Sequence, residues 1–181
     1  FEGQRGVIDF TYSWGKDSLH NNMSIKDNLL LDSIPTSLIR DKENNLKEFF
    51  STIENPHLIK LVDSLGSLNE IVSNLTDDHL KLTSLIKAMM SKSEFVFLVE
   101  PCKFSSTELI QTIKESIKFE VQNYHRKFLI RSSKMDVWSD ISTHLITKDK
   151  NFQYVKSVNH HQATIPVEDH IEINLDKKIA S

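Results

Sequence analysis

Glycine is scarce in this chain, with four among 181 residues, against a usual share of ~7%. Loops that cradle phosphate need glycine so that the backbone can approach closely. Neither G-x-x-x-x-G-K-[ST] nor G-x-G-x-x-G occurs in these residues, so they hold no complete phosphate loop of either kind. Cysteine is scarcer still. Cys102 stands alone, which excludes an internal disulfide framework and fits a reducing compartment. No apolar run approaches the ~20 residues that would span a bilayer. Charges recur from Phe1 to Asp17, so no secretory signal pattern is expected there. The net charge of -3 gives no electrostatic case for nucleic acid as a partner.

What is present is an ordinary folded composition, with 39% hydrophobic and 26% charged residues. The length predicts one domain able to bury a core. Residues 5–14 alternate as a strand, and Ser24 caps a short helix through Leu31 that Pro35 breaks. Arg40 to Glu54 carries Leu46, Phe49, Phe50 and Ile53 at helical spacing, and Asn55-Pro56 opens another short helix. The central stretch is Leu75 to Pro101. There Thr76 is the expected N-cap, Asp77 and Asp78 complement the helix dipole, and Leu82, Leu85, Ile86 and Met89 fall on one helix face. Phe95 to Val99 is an unbroken apolar run, the pattern of a parallel strand covered on both faces. Glu100 stands at its carboxyl end, where open α/β sheets place ligands. Beyond it, Ser105 or Ser106 caps a helix lined by Leu109, Ile113, Ile117 and Val121. Strands follow at Lys127–Ile130, Ile141–Thr147 and Phe152–Val155, the last two as a hairpin. The order predicts an α/β fold.

Four segments carry a family resemblance. Ser24-Ile25-Lys26-Asp27-Asn28-Leu29 looks like "S-I-R-D-N-I", and Leu75-Thr76-Asp77-Asp78-His79 stands where "L-S-G-G-Q" belongs. Lys87-Ala88-Met89-Met90 looks like "A-R-A-L", and Phe95 to Pro101 is similar to "L-L-L-D-E-P". In this order they resemble the nucleotide-binding domain of an exporter-type ABC (ATP-binding cassette) transporter. The resemblance implies a P-loop NTPase-like parallel sheet core with a helical subdomain over about 24–92 and the first lobe partly missing. The cassette-like region would span 1–156, and 157–181 would form a C-terminal extension. It also implies ATP and magnesium as cofactors. The implied partner is an ABC transmembrane domain or a competent ABC ATPase subunit, in a homo- or heterodimer at the cytoplasmic face of a membrane. Carried over by position, Glu100 matches the catalytic glutamate, Ser132 falls at the switch histidine, and Leu75, Thr76, Asp77, Asp78 and His79 form the signature. A second placement makes Gly6 to Tyr12 the family's opening strand.

The departures bear on chemistry. Val99 replaces the aspartate that organises magnesium, and a hard cation demands oxygen ligands. Asp77 and Asp78 replace two glycines, where carboxylates would repel phosphate. The loop Cys102 to Ser106 lacks its aspartate. The expectation is therefore a degenerate cassette domain, weak or inactive in hydrolysis, acting as a nucleotide-binding partner or regulatory domain in a transport or secretion assembly. The alternatives are a piece of an active ABC ATPase with unusual motifs, or an α/β interaction module that binds no nucleotide. Each singled-out residue also has a plainer reading. Glu100 is then a structural or vestigial carboxylate, Asp77 and Asp78 a solvated helix start, and Cys102 a small, partly buried side chain. No metal site is assigned to His160, His161 and His170.

Overall fold

A computed structural model describes residues 10–13, 15–31, 50–104, 106–148 and 153–159. The chain divides into two compact units, Phe1–Trp138 and Ser139–Ser181. The first is built on three parallel strands, β1 (Phe10–Ser13), β2 (Phe95–Val99) and β3 (Lys127–Arg131), in the order β1-β2-β3. Phe10 pairs with Phe95 and Tyr12 with Phe97, while Phe97 pairs with Leu129 and Val99 with Arg131. Parallel neighbours need crossover connections, and helices supply them: α1 (Ile25–Leu30), α2 (Pro56–Asp63) and α3 (Asp77–Met90) before β2, and α4 (Thr107–Tyr124) between β2 and β3.

Side-chain oxygens start each helix. Ser24 accepts from the N–H of Asp27, Asn55 from His57 and Leu58, Thr76 from His79, and Ser106 from Leu109. These bonds satisfy donors that have no partner within the helix. Helix α3 packs on β1 and β2, and α4 packs on β3 and α2. Leu82, Leu85, Ile86 and Met89 are all buried, as their spacing predicts, together with Val96 and Leu98 of β2. Burying each such side chain stabilises by about 1.5–3 kcal/mol.

Several expectations need correction. Strand β2 is not covered equally on both faces. Val96 and Leu98 are buried, but Phe95, Phe97 and Val99 are half-buried. The neighbours on that face, Phe10, Tyr12 and Leu129, are 64%, 48% and 51% exposed, so it is open to solvent. In α4, Val121 is exposed and Glu120 takes the buried position. Buried polar bonding, not apolar spacing, sets the end of that helix. Asn55 Nδ2 donates 2.8 Å to Glu120 Oε1, and Arg126 donates 2.9 Å to Oε2. Arg126 also reaches the carbonyls of Met89 at 2.7 Å and Ser93 at 3.0 Å.

The second unit holds an antiparallel hairpin of β4 (His144–Lys148) and β5 (Tyr154–Val158). Both strands begin later than expected, by three residues at Ile141 and two at Phe152. Residue 156 lies inside β5, so a boundary between 156 and 157 would cut a strand. The break expected at Pro35, most of the helix expected over Arg40–Glu54, and His160, His161 and His170 lie outside the described residues.

Candidate functional site

Two corners of the first unit hold the residues singled out from sequence. One lies at the carboxyl end of β2 and β3. Glu100 follows β2 with φ 50, a left-handed conformation unusual for a side-chain-bearing residue. Its N–H donates 2.7 Å to the carbonyl of Arg131, so the residue leans toward the loop after β3. There the N–H of Ser133 donates to both Glu100 carboxylate oxygens, at 3.1 and 3.2 Å, and Ser133 Oγ donates to Oε2 at 2.9 Å. Burial pushes this carboxyl up, but the two Ser133 bonds with Lys103 and Arg131 outweigh it, and the net shift is downward. Hydrogen bonds and positive charge favour the ionised form.

Ser132 is beside it, but its hydroxyl faces elsewhere. Cys102 Sγ lies 3.1 Å from Ser132 Oγ, which also accepts from the N–H of Lys134 at 3.0 Å. Cys102 is 2% exposed, more completely buried than the plain reading of a small, partly buried side chain expects. Ser133 is the residue that sequence reasoning missed. The only signal was the tandem pair Ser132-Ser133, and serine in a loop carries little information by itself.

The other corner is the start of α3. Thr76, Asp77, Asp78 and His79 are exposed and Leu75 is half-buried. Thr76 Oγ1 lies 2.9 Å from His79 Nδ1, and Asp78 pairs with Lys81 at 3.6 Å. Asp78 and His79 line an open cleft of about 550 Å³ with Ser106 and Glu108 at the start of α4, over Leu82 and Leu109. Glu100 and Ser132 do not line this cleft.

The segment Ser24 to Leu29 is structural. Asn28 is fully buried. It accepts from the N–H of His20 at 2.7 Å and donates to the carbonyls of His20 and Ser24 at 3.1 and 3.0 Å. It ties the turn before α1 to the helix, which is why an amide is needed inside an apolar subdomain.

Val99 ends β2 on methyl groups, which bind no hard cation, and both Glu100 oxygens accept from Ser133. Among the described residues no cluster of three His, Cys, Asp or Glu side chains could hold a metal. The start of α3 presents two carboxylates beside N–H groups that a phosphate would require.

No family model matches the sequence, and no curated protein does. Solved structures do match in fold. A dimeric ATP-binding cassette in a post-hydrolysis state with ADP and phosphate aligns at a TM-score of 0.59 and 9% identity, over 76% of this chain and 57% of that one. A nucleotide-free cassette from an ABC transporter aligns at 0.58 and 16%, over 83% and 61%. An archaeal ribosome recycling factor, solved with a ribosomal stalk protein, aligns at 0.59 and 10%, over 85% and 28%. The chain thus shares the fold of the ATP-binding cassettes, a P-loop NTPase-like α/β arrangement. The chain spans about three fifths of the length of the first two cassettes.

Proposed function

We propose that this chain is a degenerate ATP-binding-cassette domain of the exporter type, a weak or inactive nucleotide-binding partner in a transport or secretion assembly. The observation that carries the reading is the conjunction at the end of β2. A cassette-type sheet is present, yet the strand ends on Val99 and on a Glu100 whose oxygens are taken by Ser133. Phosphoryl transfer relies on positioning and electrostatic stabilisation, and this corner offers the methyl groups of Val99 and a Glu100 carboxylate turned onto Ser133. Asp77 and Asp78 support the same reading from the other corner, because they make the start of α3 unfavourable for phosphate.

The cassette-like part would be the region expected over 1–156, carried on to the end of β5 so that no strand is cut, with the residues beyond it as an extension. Its partner would be a membrane-embedded ABC subunit or a competent ABC ATPase, met as a homo- or heterodimer at the cytoplasmic face. Among the described residues no helix is long and apolar enough to cross a membrane, so in this reading membrane association runs through the partner. The test is turnover of purified protein with magnesium and ATP, beside a calorimetric titration of ATP and ADP. The expected result is weak or no binding and no turnover above buffer. Turnover abolished by Glu100→Gln would overturn the inactive reading.

A further inference from the structure

Two loops at the carboxyl end of the sheet are fastened to each other at two points. The loop after β2 supplies Glu100 and Cys102, and the loop after β3 supplies Ser133 and Ser132. Glu100 accepts from the N–H and the hydroxyl of Ser133, and Cys102 Sγ meets Ser132 Oγ at 3.1 Å. Adjacent serines on one strand exit thus meet alternate residues on the other.

We propose that Glu100 and Cys102 form a two-point latch on the loop 132–134, and that Glu100 is a positioning residue for that loop. Three features of the geometry point the same way. The left-handed backbone of Glu100 is costly for a residue with a Cβ, so surrounding contacts must hold it, and the bond from its N–H to Arg131 does so. The Ser133 N–H spans both oxygens and the hydroxyl adds a third contact, which fixes the orientation of the carboxylate on that loop. The charged neighbours acting on the carboxylate are Lys103 from its own loop and Arg131 from β3. Both are cations, so they hold it ionised as an acceptor. Cys102 is nearly inaccessible, and its thiol spends its contact on the same loop.

The test is amide hydrogen exchange by NMR on the 181-residue chain, without nucleotide. In the wild type the Ser133 amide should be protected, and Glu100→Ala should raise its exchange about tenfold or more, the loss of a charge-assisted bond. Amides of Val96 and Leu98 should not change, which separates latch opening from general destabilisation. Ser133→Ala, which keeps the backbone donor, should raise the Glu100 carboxyl pKa measured by carbon-13 titration. An unprotected Ser133 amide in the wild type, or a Glu100 titration unmoved by Ser133→Ala, would overturn the latch. These two readings stand even if Glu100→Ala does not fold. Because no readout uses ATP, the latch can fail while the cassette reading survives, and the reverse.

Discussion

Replacing Arg126 with alanine should destabilise the first unit more than any single change at the candidate site. Its side chain is 8% exposed and pairs at 2.9 Å with Glu120, itself 6% exposed. Removing one partner of a buried ion pair leaves the other charge uncompensated, at a cost of about 3–5 kcal/mol. The carbonyls of Met89 and Ser93 also lose the donors that reach them at 2.7 and 3.0 Å. Water entering the vacated space will satisfy part of that loss, so roughly 4–6 kcal/mol is expected in all. Against a typical domain stability of about 5–15 kcal/mol this is a large fraction. Urea unfolding followed by circular dichroism should show the midpoint falling by about 2–3 M, for a slope near 2 kcal/mol per molar. The double variant Glu120→Leu with Arg126→Met should recover at least ~2 kcal/mol, because no charge is then left unpaired. A cost below ~1 kcal/mol for Arg126→Ala, the size of an exposed pair, would refute the claim that this network organises the unit.

His125 ends α4 in the left-handed conformation, φ 53 and ψ 26. Glycine adopts that conformation without steric cost, so His125→Gly should be neutral or raise stability by up to ~1 kcal/mol in thermal unfolding, and a clear loss would argue against this cap. The folded-state pKa of Glu100 lies below its ordinary value, so its contribution is complete above the unfolded-state value and lost as pH falls through the folded one. Wild type should therefore lose more stability than Glu100→Gln between about pH 5 and pH 3, within ~1 kcal/mol for a partly solvated group. Equal acid slopes in urea titrations of the two proteins would contradict the bonding to Ser133.

The parts legible in the sequence share a physical trait: their pattern is local. The apolar spacing of α3, its Thr76 cap, the Asn55-Pro56 start of α2 and the run Phe95 to Val99 each depend on residues within a few positions, and the structure has all of them. What was not legible depends on pairs far apart in sequence. Ile113 and Ile117 predict an inward position at either 120 or 121, since both continue the same face of a 3.6-residue helix. Apolar spacing favours Val121; the structure buries Glu120, because Asn55 and Arg126 meet it there. The open sheet face is a similar case. An apolar run such as Phe95 to Val99 is consistent with cover on both sides, but the cover itself belongs to other segments. At the site, Glu100 was found from its place at a strand end, whereas its partner lies 33 residues further on.

The same division explains how, in the proposed reading, this fold would stand without the family's chemistry. The contacts that hold the first unit are buried: Asn28 in its turn, Asn55 and Glu120 with Arg126, and the α3 face on Val96 and Leu98. Changing any of them strands a polar group or opens a cavity, each costing kcal/mol. The positions that would bear on nucleotide are different. Asp77, Asp78 and His79 are exposed, and Val99 and Ser132 are half-buried. Strand β2 uses only the backbone of Val99 to pair with Arg131, so pairing does not dictate which side chain stands there. For a hard cation an oxygen and a methyl group are not equivalent at all. Val99→Asp puts a charge at a half-buried position of the central strand beside Glu100, so it should cost about 1 kcal/mol or more in urea unfolding. It should not confer turnover either, because these 181 residues hold no complete phosphate loop.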